Sequence, residues 1–253
     1  MSITPRKSLG QHFLVDENIL RVIERLAELA PADVVLEIGP GPGALTRLLA
    51  ERVAHVHAVE LDRRFAGVLE GLPRVELHWG DALRLDLASF EPPPGKIVSN
   101  LPYNVATPLV VESLADGRIE HWCVMVQREV ADRFFAAPGT KAYGAVSVLV
   151  QLAAERTGIH AVSREVFRPR PRVESAVVAF RRTAPPVDPR VKRLVEAAFA
   201  HRRKTLANSV ALAGVSSRQA AAEARDRLGH RSDVRAEALA PPELVRLAEA
   251  LRP

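Results

Sequence analysis

The chain has 253 residues, 47% hydrophobic and 26% charged, enough for one large domain with a buried core beside a small one. Its one cysteine, Cys123, excludes an internal disulfide and a cysteine-built zinc site; no metal centre is expected, and the composition suits a reducing compartment, the cytoplasm. No window approaches the roughly 20 apolar residues of a membrane helix, residues 1–10 lack the apolar stretch of a signal peptide, and the net charge is +5.

Apolar runs of strand length alternate with stretches of helical period along most of the chain. Val34–Ile38, Val53–Val59, Val75–Trp79, Lys96–Ser99 and Trp122–Val126 read as strands. Ala44–Arg52, Asp62–Leu69, Thr107–Ala115 and Glu129–Phe135 read as the helices between and after them. Such alternation implies parallel βαβ units, and near-continuous apolar strands imply a sheet covered on both faces. A helix at Tyr143–Ala153 precedes two further strands, Glu155–Val162 and Val173–Arg181, expected as an antiparallel edge pair. Residues 183–189, rich in proline, read as a linker. Helical stretches follow near Val191–Ala200, Lys204–Ala213, Ser217–Leu228 and Pro242–Leu251. The expectation is an α/β fold: a doubly wound, mostly parallel, seven-stranded Rossmann-like sheet over residues 1–182, then a small helical domain over 183–253. Charge follows this division. Residues 1–182 hold 22 basic and 22 acidic side chains, whereas 183–253 hold 13 and 8. The whole cationic excess lies in the last quarter, which suits a module facing a polyanion.

The first strand runs into Glu37-Ile38-Gly39-Pro40-Gly41-Pro42-Gly43-Ala44. Glycines there permit a tight turn and close backbone approach to a ligand, and the helix that follows directs its N-terminus at the loop. The run satisfies Gly-x-Gly-x-x-Gly/Ala, the dinucleotide fingerprint. It also resembles the S-adenosylmethionine loop of class I methyltransferases, and the loop alone leaves both cofactors open. The second strand ends in Glu60-Leu61-Asp62, with Glu60 21 positions after Gly39, where a carboxylate accepts from ribose hydroxyls. The third ends in Asp81-Ala82. Asp81 suits the cofactor's adenine amine, or equally the N-cap of a short helix.

The fourth strand ends in Asn100-Leu101-Pro102-Tyr103, which resembles the Asn/Asp-Pro-Pro-Tyr/Phe element of methyltransferases acting on planar amino nitrogens. The exocyclic amine of adenine is a poor nucleophile because its lone pair is delocalised. The Asn100 side-chain oxygen and the Leu101 carbonyl are each able to accept one N–H, which favours pyramidalisation and aims the lone pair at the methyl. Pro102 stiffens the loop and Tyr103 offers a stacking face. The work is alignment rather than proton transfer, and no strong general base is assigned.

Further segments resemble one family, the small-subunit ribosomal RNA dimethyladenosine transferases. Lys7-Ser8-Leu9-Gly10-Gln11-His12-Phe13-Leu14 resembles that family's Gly-Gln-Asn-Phe-Leu element, with His12 in place of Asn. The resemblance implies cofactor contacts at His12 and Leu14, beside Gly39, Gly41, Glu60, Leu61, Asp81, Ala82 and Asn100. Gln127–Ala131 and Lys141–Gly144 resemble the family's segments after the fifth strand. Val166–Val178 is similar to its Phe-x-Pro-x-Pro-Lys/Arg-Val stretch. This implies Phe167 flanking the target base opposite Tyr103, with Arg168, Arg170 and Arg172 at phosphates. Ala198–Ser209 resembles Phe-x-x-Arg-Arg-Lys-Thr-x-x-Asn and implies RNA contacts at Arg202, Arg203 and Lys204. By resemblance, the reaction dimethylates two adjacent adenosines in a hairpin near the 3′ end of small-subunit (16S) RNA, with the RNA expected within a 30S assembly particle and the protein expected as a monomer. Three other readings stay open: a large-subunit RNA dimethyltransferase of the antibiotic-resistance type, a non-catalytic RNA-binding assembly factor, and a dinucleotide-dependent oxidoreductase.

Overall fold

A computed structural model describes residues 4–6, 9–84 and 86–251. Lys7 and Ser8 of the N-terminal motif lie outside the described residues. In chain order the elements are β1 (Phe13–Leu14), α1 (Glu17–Ala27), β2 (Val34–Ile38), α2 (Ala44–Arg52), β3 (His55–Glu60), α3 (Ala66–Leu69), β4 (Val75–Trp79), β5 (Lys96–Asn100), α4 (Ala106–Ser113) and β6 (His121–Gln127). There follow α5 (Arg128–Phe134), α6 (Ala145–Ala153), β7 (Ala154–Val162), β8 (Phe167–Arg168), β9 (Ser175–Arg182), α7 (Pro189–Ala200), α8 (Leu206–Leu212), α9 (Arg218–Arg227) and α10 (Pro241–Ala250).

Seven strands form one sheet in the order β4-β3-β2-β5-β6-β9-β7. The strands from β4 to β6 pair parallel, and β9 enters antiparallel to β6 with Trp122 opposite Phe180. Those two rings stack at 5.1 Å and 10° in the core. The sequence forms this sheet because β2 and β6 are apolar on both faces, and all of β6 but Gln127 is buried. Helix α1 begins where Asp16 accepts from the Asn18 and Ile19 amides at 2.8 and 3.3 Å. Its Ile19, Ile23 and Ala27, spaced by four, are buried, and the helix packs on β6 and β9.

The parallel sheet reverses its winding between β2 and β5, and the loops after β2, β3, β4 and β5 emerge on one edge. A two-stranded pair, β1 with β8, sets Phe13 against Arg168 and Leu14 against Phe167. The sequence pattern does not anticipate it, since two residues are too few to show a period. The helix expected over Asp62–Leu69 is a 3-10 turn, Arg63–Phe65, leading into α3; Asp62 caps this turn by accepting from the Arg64 amide at 3.2 Å.

The chain divides into two compact units. One holds the residues up to Ala131 together with Glu155–Thr183; the other holds Asp132–Ala154 and the residues from Ala184 onward. Residues 132–154 thus group with the C-terminal helices, unlike a division at 182. The physical reason is in the bonds of that unit. Tyr143 is fully buried and donates its hydroxyl to the Leu239 carbonyl at 2.8 Å, and the Gly139 amide donates to Glu237 at 2.7 Å. Tyr143 also meets Phe199 edge-on at 5.7 Å. Helix α6, AVSVLVQLA, is apolar on several faces and is covered by α7 and α10.

Candidate active site

The first unit carries a cleft at the edge of the sheet, about 1070 Å³ of free space counting its open mouth, in the range of small-molecule sites. Of the residues expected from sequence, it brings together His12, Leu14, Gly39, Gly41, Glu60, Leu61, Asp81, Ala82, Asn100, Leu101, Pro102 and Tyr103.

The glycine loop is wound tightly. Gly39 and Gly41 have φ of 73° and 54°, left-handed values that glycine alone adopts without strain. A β-carbon on Gly39 would lie 3.2 Å from the Pro102 ring, and one on Gly41 3.3 Å from Phe13. The glycine loop, the Asn-Leu-Pro-Tyr loop and the N-terminal arm therefore touch, with no room for side chains between them. Glu60, at the end of β3, accepts the Gly41 amide at 3.0 Å and the Asp62 amide at 2.8 Å, one on each oxygen. Burial pushes its pKa up, against the pull of these amides. Glu37 is buried, and one of its oxygens has no hydrogen-bond partner. Burial, with Glu60 close by, raises its pKa to about 8. It is mostly protonated at neutral pH. Asp81 serves as the N-cap: one oxygen accepts the Leu83 amide at 3.0 Å, and its side chain is 43% exposed at the cleft.

The target loop is fixed from three sides. The Leu101 amide donates to Met125 at 3.1 Å, and the Val105 amide donates to the Pro102 carbonyl at 3.1 Å. Asn100 donates its Nδ2 to the His12 carbonyl at 3.2 Å. That bond orients the carboxamide, so Oδ1 is the end left to accept. The Tyr103 hydroxyl shares a 2.6 Å hydrogen bond with Ser175, and its ring stacks on His12 at 5.5 Å and 26°. His12 is anchored in turn through Nδ1 to the Pro169 carbonyl at 2.7 Å.

Phe167, expected to flank the target base, is not among the residues the structure brings to the cleft. Its ring is fully buried in the core beside Leu14 and Val166 and does not line the cleft, because β8 turns it inward on pairing with β1. Sequence reasoning also passed over four cleft residues. Gln11, whose Nε2 donates to Asp62 at 3.1 Å, pins the arm. Phe13 packs edge-on to Phe65 at 5.6 Å beneath the glycine loop. Glu37 and Asn104 complete the wall. A glutamine and a phenylalanine flanking His12 in one motif were the available signal.

The expected RNA cations differ in freedom. Arg168 donates to the Glu165 and Phe167 carbonyls, both at 3.0 Å, and Arg170 pairs with Glu165. Arg172 is exposed and has no acidic partner among the described residues. In the helical unit, Arg202, Arg203 and Lys204 sit in the turn between α7 and α8 rather than on a helix. The turn closes where the Lys204 amide donates to His201 at 2.8 Å. Arg202 donates to the Tyr143 carbonyl at 3.0 Å and pairs with Glu237 at 3.4 Å, whereas Arg203 and Lys204 are exposed.

A cleft of this kind fits S-adenosylmethionine on its own chemistry. Close-approach glycines admit a backbone-hugging ligand, and Glu60 stands at the end of β3 where a carboxylate accepts from vicinal hydroxyls. The fold and cleft define a class I methyltransferase. Comparison with known proteins narrows this further. The model of the family described as ribosomal RNA adenine dimethylase matches residues 3–249. Ribosomal RNA small subunit methyltransferase A of Rubrobacter xylanophilus is 48% identical over 98% of this chain and 96% of the relative. The protein of that name from Thermosynechococcus vestitus is 45% identical over 99% and 98%. Among solved structures, a dimethyladenosine transferase from Plasmodium falciparum superposes with a TM-score of 0.77 at 22% identity, covering 93% of this chain and 96% of that one. The 23S rRNA methyltransferase ErmE superposes at 0.66 with 29% identity, covering 94% and 99%. The chain belongs to the ribosomal RNA adenine dimethylase family, and it is an S-adenosylmethionine-dependent rRNA adenine dimethyltransferase.

Proposed function

We propose that the chain transfers two methyl groups to the exocyclic amine of each of two adjacent adenosines in a hairpin near the 3′ end of small-subunit (16S) ribosomal RNA. The observation that carries this reading is the locked Asn100 carboxamide, with its oxygen left free beside the Leu101 carbonyl. S-adenosylmethionine supplies an electrophilic methyl on a good leaving group. The residues of this chain do the rest. Gly39 and Gly41 admit it, Glu60 accepts from its ribose hydroxyls, and Leu61, Asp81 and Ala82 border its base. Asn100 and Leu101 each accept one N–H of the target amine. The Tyr103–His12 stack forms the flank against which the splayed base rests. Arg172, Arg203 and Lys204 are the cations best placed to meet phosphate, since Arg168, Arg170 and Arg202 already have partners.

The substrate we favour is a partly assembled small-subunit particle, met by a monomer in the cytoplasm. Relatives named for the small subunit, at 48 and 45% identity, support this over a large-subunit target. The test offers the protein unmodified small-subunit particles, the protein-free small-subunit RNA and large-subunit RNA, with labelled cofactor. Methylation of the particle well above both RNAs is the expected result. Preference for large-subunit RNA would overturn the substrate, and equal rates on particle and free RNA would overturn the particle.

A further inference from the structure

On the β3–β4 side of the sheet, away from the cofactor cleft, four side chains with metal-ligating atoms converge. His55 and His57 stand two apart on β3, and Glu76 and His78 two apart on the edge strand β4, so all four share one face. His57 lies opposite Glu76 in the parallel register. None of the four lines the cofactor cleft.

The ligating atoms of His55, His57 and Glu76 come together, and His78 lies against two of them. His57 donates its Nε2 proton to the Pro92 carbonyl at 2.8 Å, which leaves the Nδ1 lone pair facing the cluster. Nδ1 lies 3.1 Å from His78 Nε2 and 3.7 Å from a Glu76 oxygen. His78 Nε2 is 3.6 Å from the other Glu76 oxygen. His55 Nε2 is buried without any hydrogen bond, 3.4 Å from Glu76 Oε2. The ligating atoms of His55, His57 and Glu76 all fall within 4.8 Å of one another. A tetrahedral ion with bonds of roughly 2.0–2.1 Å to nitrogen and oxygen separates its ligands by about 3.3 Å. The observed spacings bracket that value.

The ring of Phe90 packs against both His57, at 5.0 Å, and His78, at 4.8 Å, which gives the cluster an apolar wall. A carbonyl that fixes the tautomer of a histidine is the support that metal-bound imidazoles receive.

We propose that His55, His57 and Glu76, with His78 beside them, form a binding site for a borderline transition-metal dication, Zn²⁺ above all. Binding takes up the His57 Nδ1 lone pair in place of its hydrogen bond with His78 Nε2, with no proton gained or lost. Two imidazoles and one carboxylate supply three corners of a tetrahedron. The ion would clamp the edge strand, whose far end supplies Asp81 and Ala82 to the cofactor cleft. This reverses the sequence-based expectation of no metal. The pairs His55-x-His57 and Glu76-x-His78 were visible, but their meeting depends on the β3–β4 register.

The test uses the full-length, untagged protein stripped with a chelator and titrated with Zn²⁺ alone by calorimetry. One equivalent should bind, and Tm should rise by several degrees. The double variant Glu76→Gln, His78→Gln should lose at least a hundredfold in affinity and the Tm response, while keeping its circular dichroism. Titration with Co²⁺ should give intense visible bands of a tetrahedral ion in the wild type, a readout independent of the variant's folding. Absence of one-to-one binding, a weak octahedral cobalt spectrum, or equal binding by the double variant would each overturn the site.

Discussion

Removing the Asn100 carboxamide tests the alignment of the target amine. In Asn100→Ala two bonds disappear, and they act on different quantities. The first is the 3.2 Å bond from Nδ2 to the His12 carbonyl. A neutral hydrogen bond of that kind contributes about 1 kcal/mol, so Tm should fall by about 2–4 °C for a chain of this size. The second is the bond from the target amine to Oδ1. It strengthens as the nitrogen gains positive character in the transition state, and charge-assisted bonds are roughly twice as strong as neutral ones. Deleting one preorganised partner of a developing charge lowers kcat by about 10²–10³, or about 3 kcal/mol. RNA affinity and cofactor affinity should change by no more than a few-fold. Asn100→Asp separates the two effects. It keeps an acceptor oxygen but sets a second oxygen against the His12 carbonyl, so it should recover part of kcat and none of the stability. The assay is single-turnover methyl transfer to unmodified small-subunit particles, with calorimetric melting alongside. A kcat within threefold of wild type in a folded Asn100→Ala protein would refute the reasoning.

Three further outcomes follow from the geometry. Glu37 has a folded pKa raised to about 8 by burial against an ordinary 4.5, so its stability contribution is complete below about pH 4.5 and is lost as pH rises through 8. Glu37→Gln should therefore melt closer to or above wild type at pH 9 than at pH 5, in paired calorimetric scans of the cofactor-free protein; a constant offset across that range contradicts the shift. Gly39→Ala puts a side chain at φ 73° with its β-carbon 3.2 Å from Pro102, a strain of about 2 kcal/mol. Tm should drop by about 4–8 °C, and turnover should fall because the loop that moves carries Asn100, which steady-state kinetics would show. Replacing Arg203 and Lys204 with glutamine should reduce the slope of log affinity against log salt by about 1.5, if each meets one phosphate; an unchanged slope in filter binding removes this turn from the interface.

The sheet was legible because its strands are apolar almost end to end, and the cleft was legible because its glycines, acids and Asn-Leu-Pro-Tyr turn fall at strand ends in chain order. What escaped depends on contacts far apart in sequence. Leu14 and Phe167 meet through a strand pair of two residues each, which left the buried role of Phe167 unreadable. Helix α6 looks equally suited to cover a sheet or a helix bundle, and only the Tyr143 and Gly139 bonds assign it to the latter. The break after Ala200 was legible, but the second helix was expected from Lys204 and begins at Leu206, so Lys204 belongs to the turn. The histidine cluster shows the same limit, since alternation places its members on one face and only strand register makes them neighbours.

The account's central claim is that the Asn100–Tyr103 turn delivers a purine amine to a sulfonium methyl. It is tested most directly by digesting small-subunit RNA to nucleosides after reaction with isotopically labelled S-adenosylmethionine and locating the label by mass spectrometry. The predicted product is N6,N6-dimethyladenosine at two adjacent positions, with both methyls labelled and with formation by Asn100→Ala slowed by about 10²–10³. Label on a ring nitrogen, a ribose hydroxyl or a pyrimidine would contradict it.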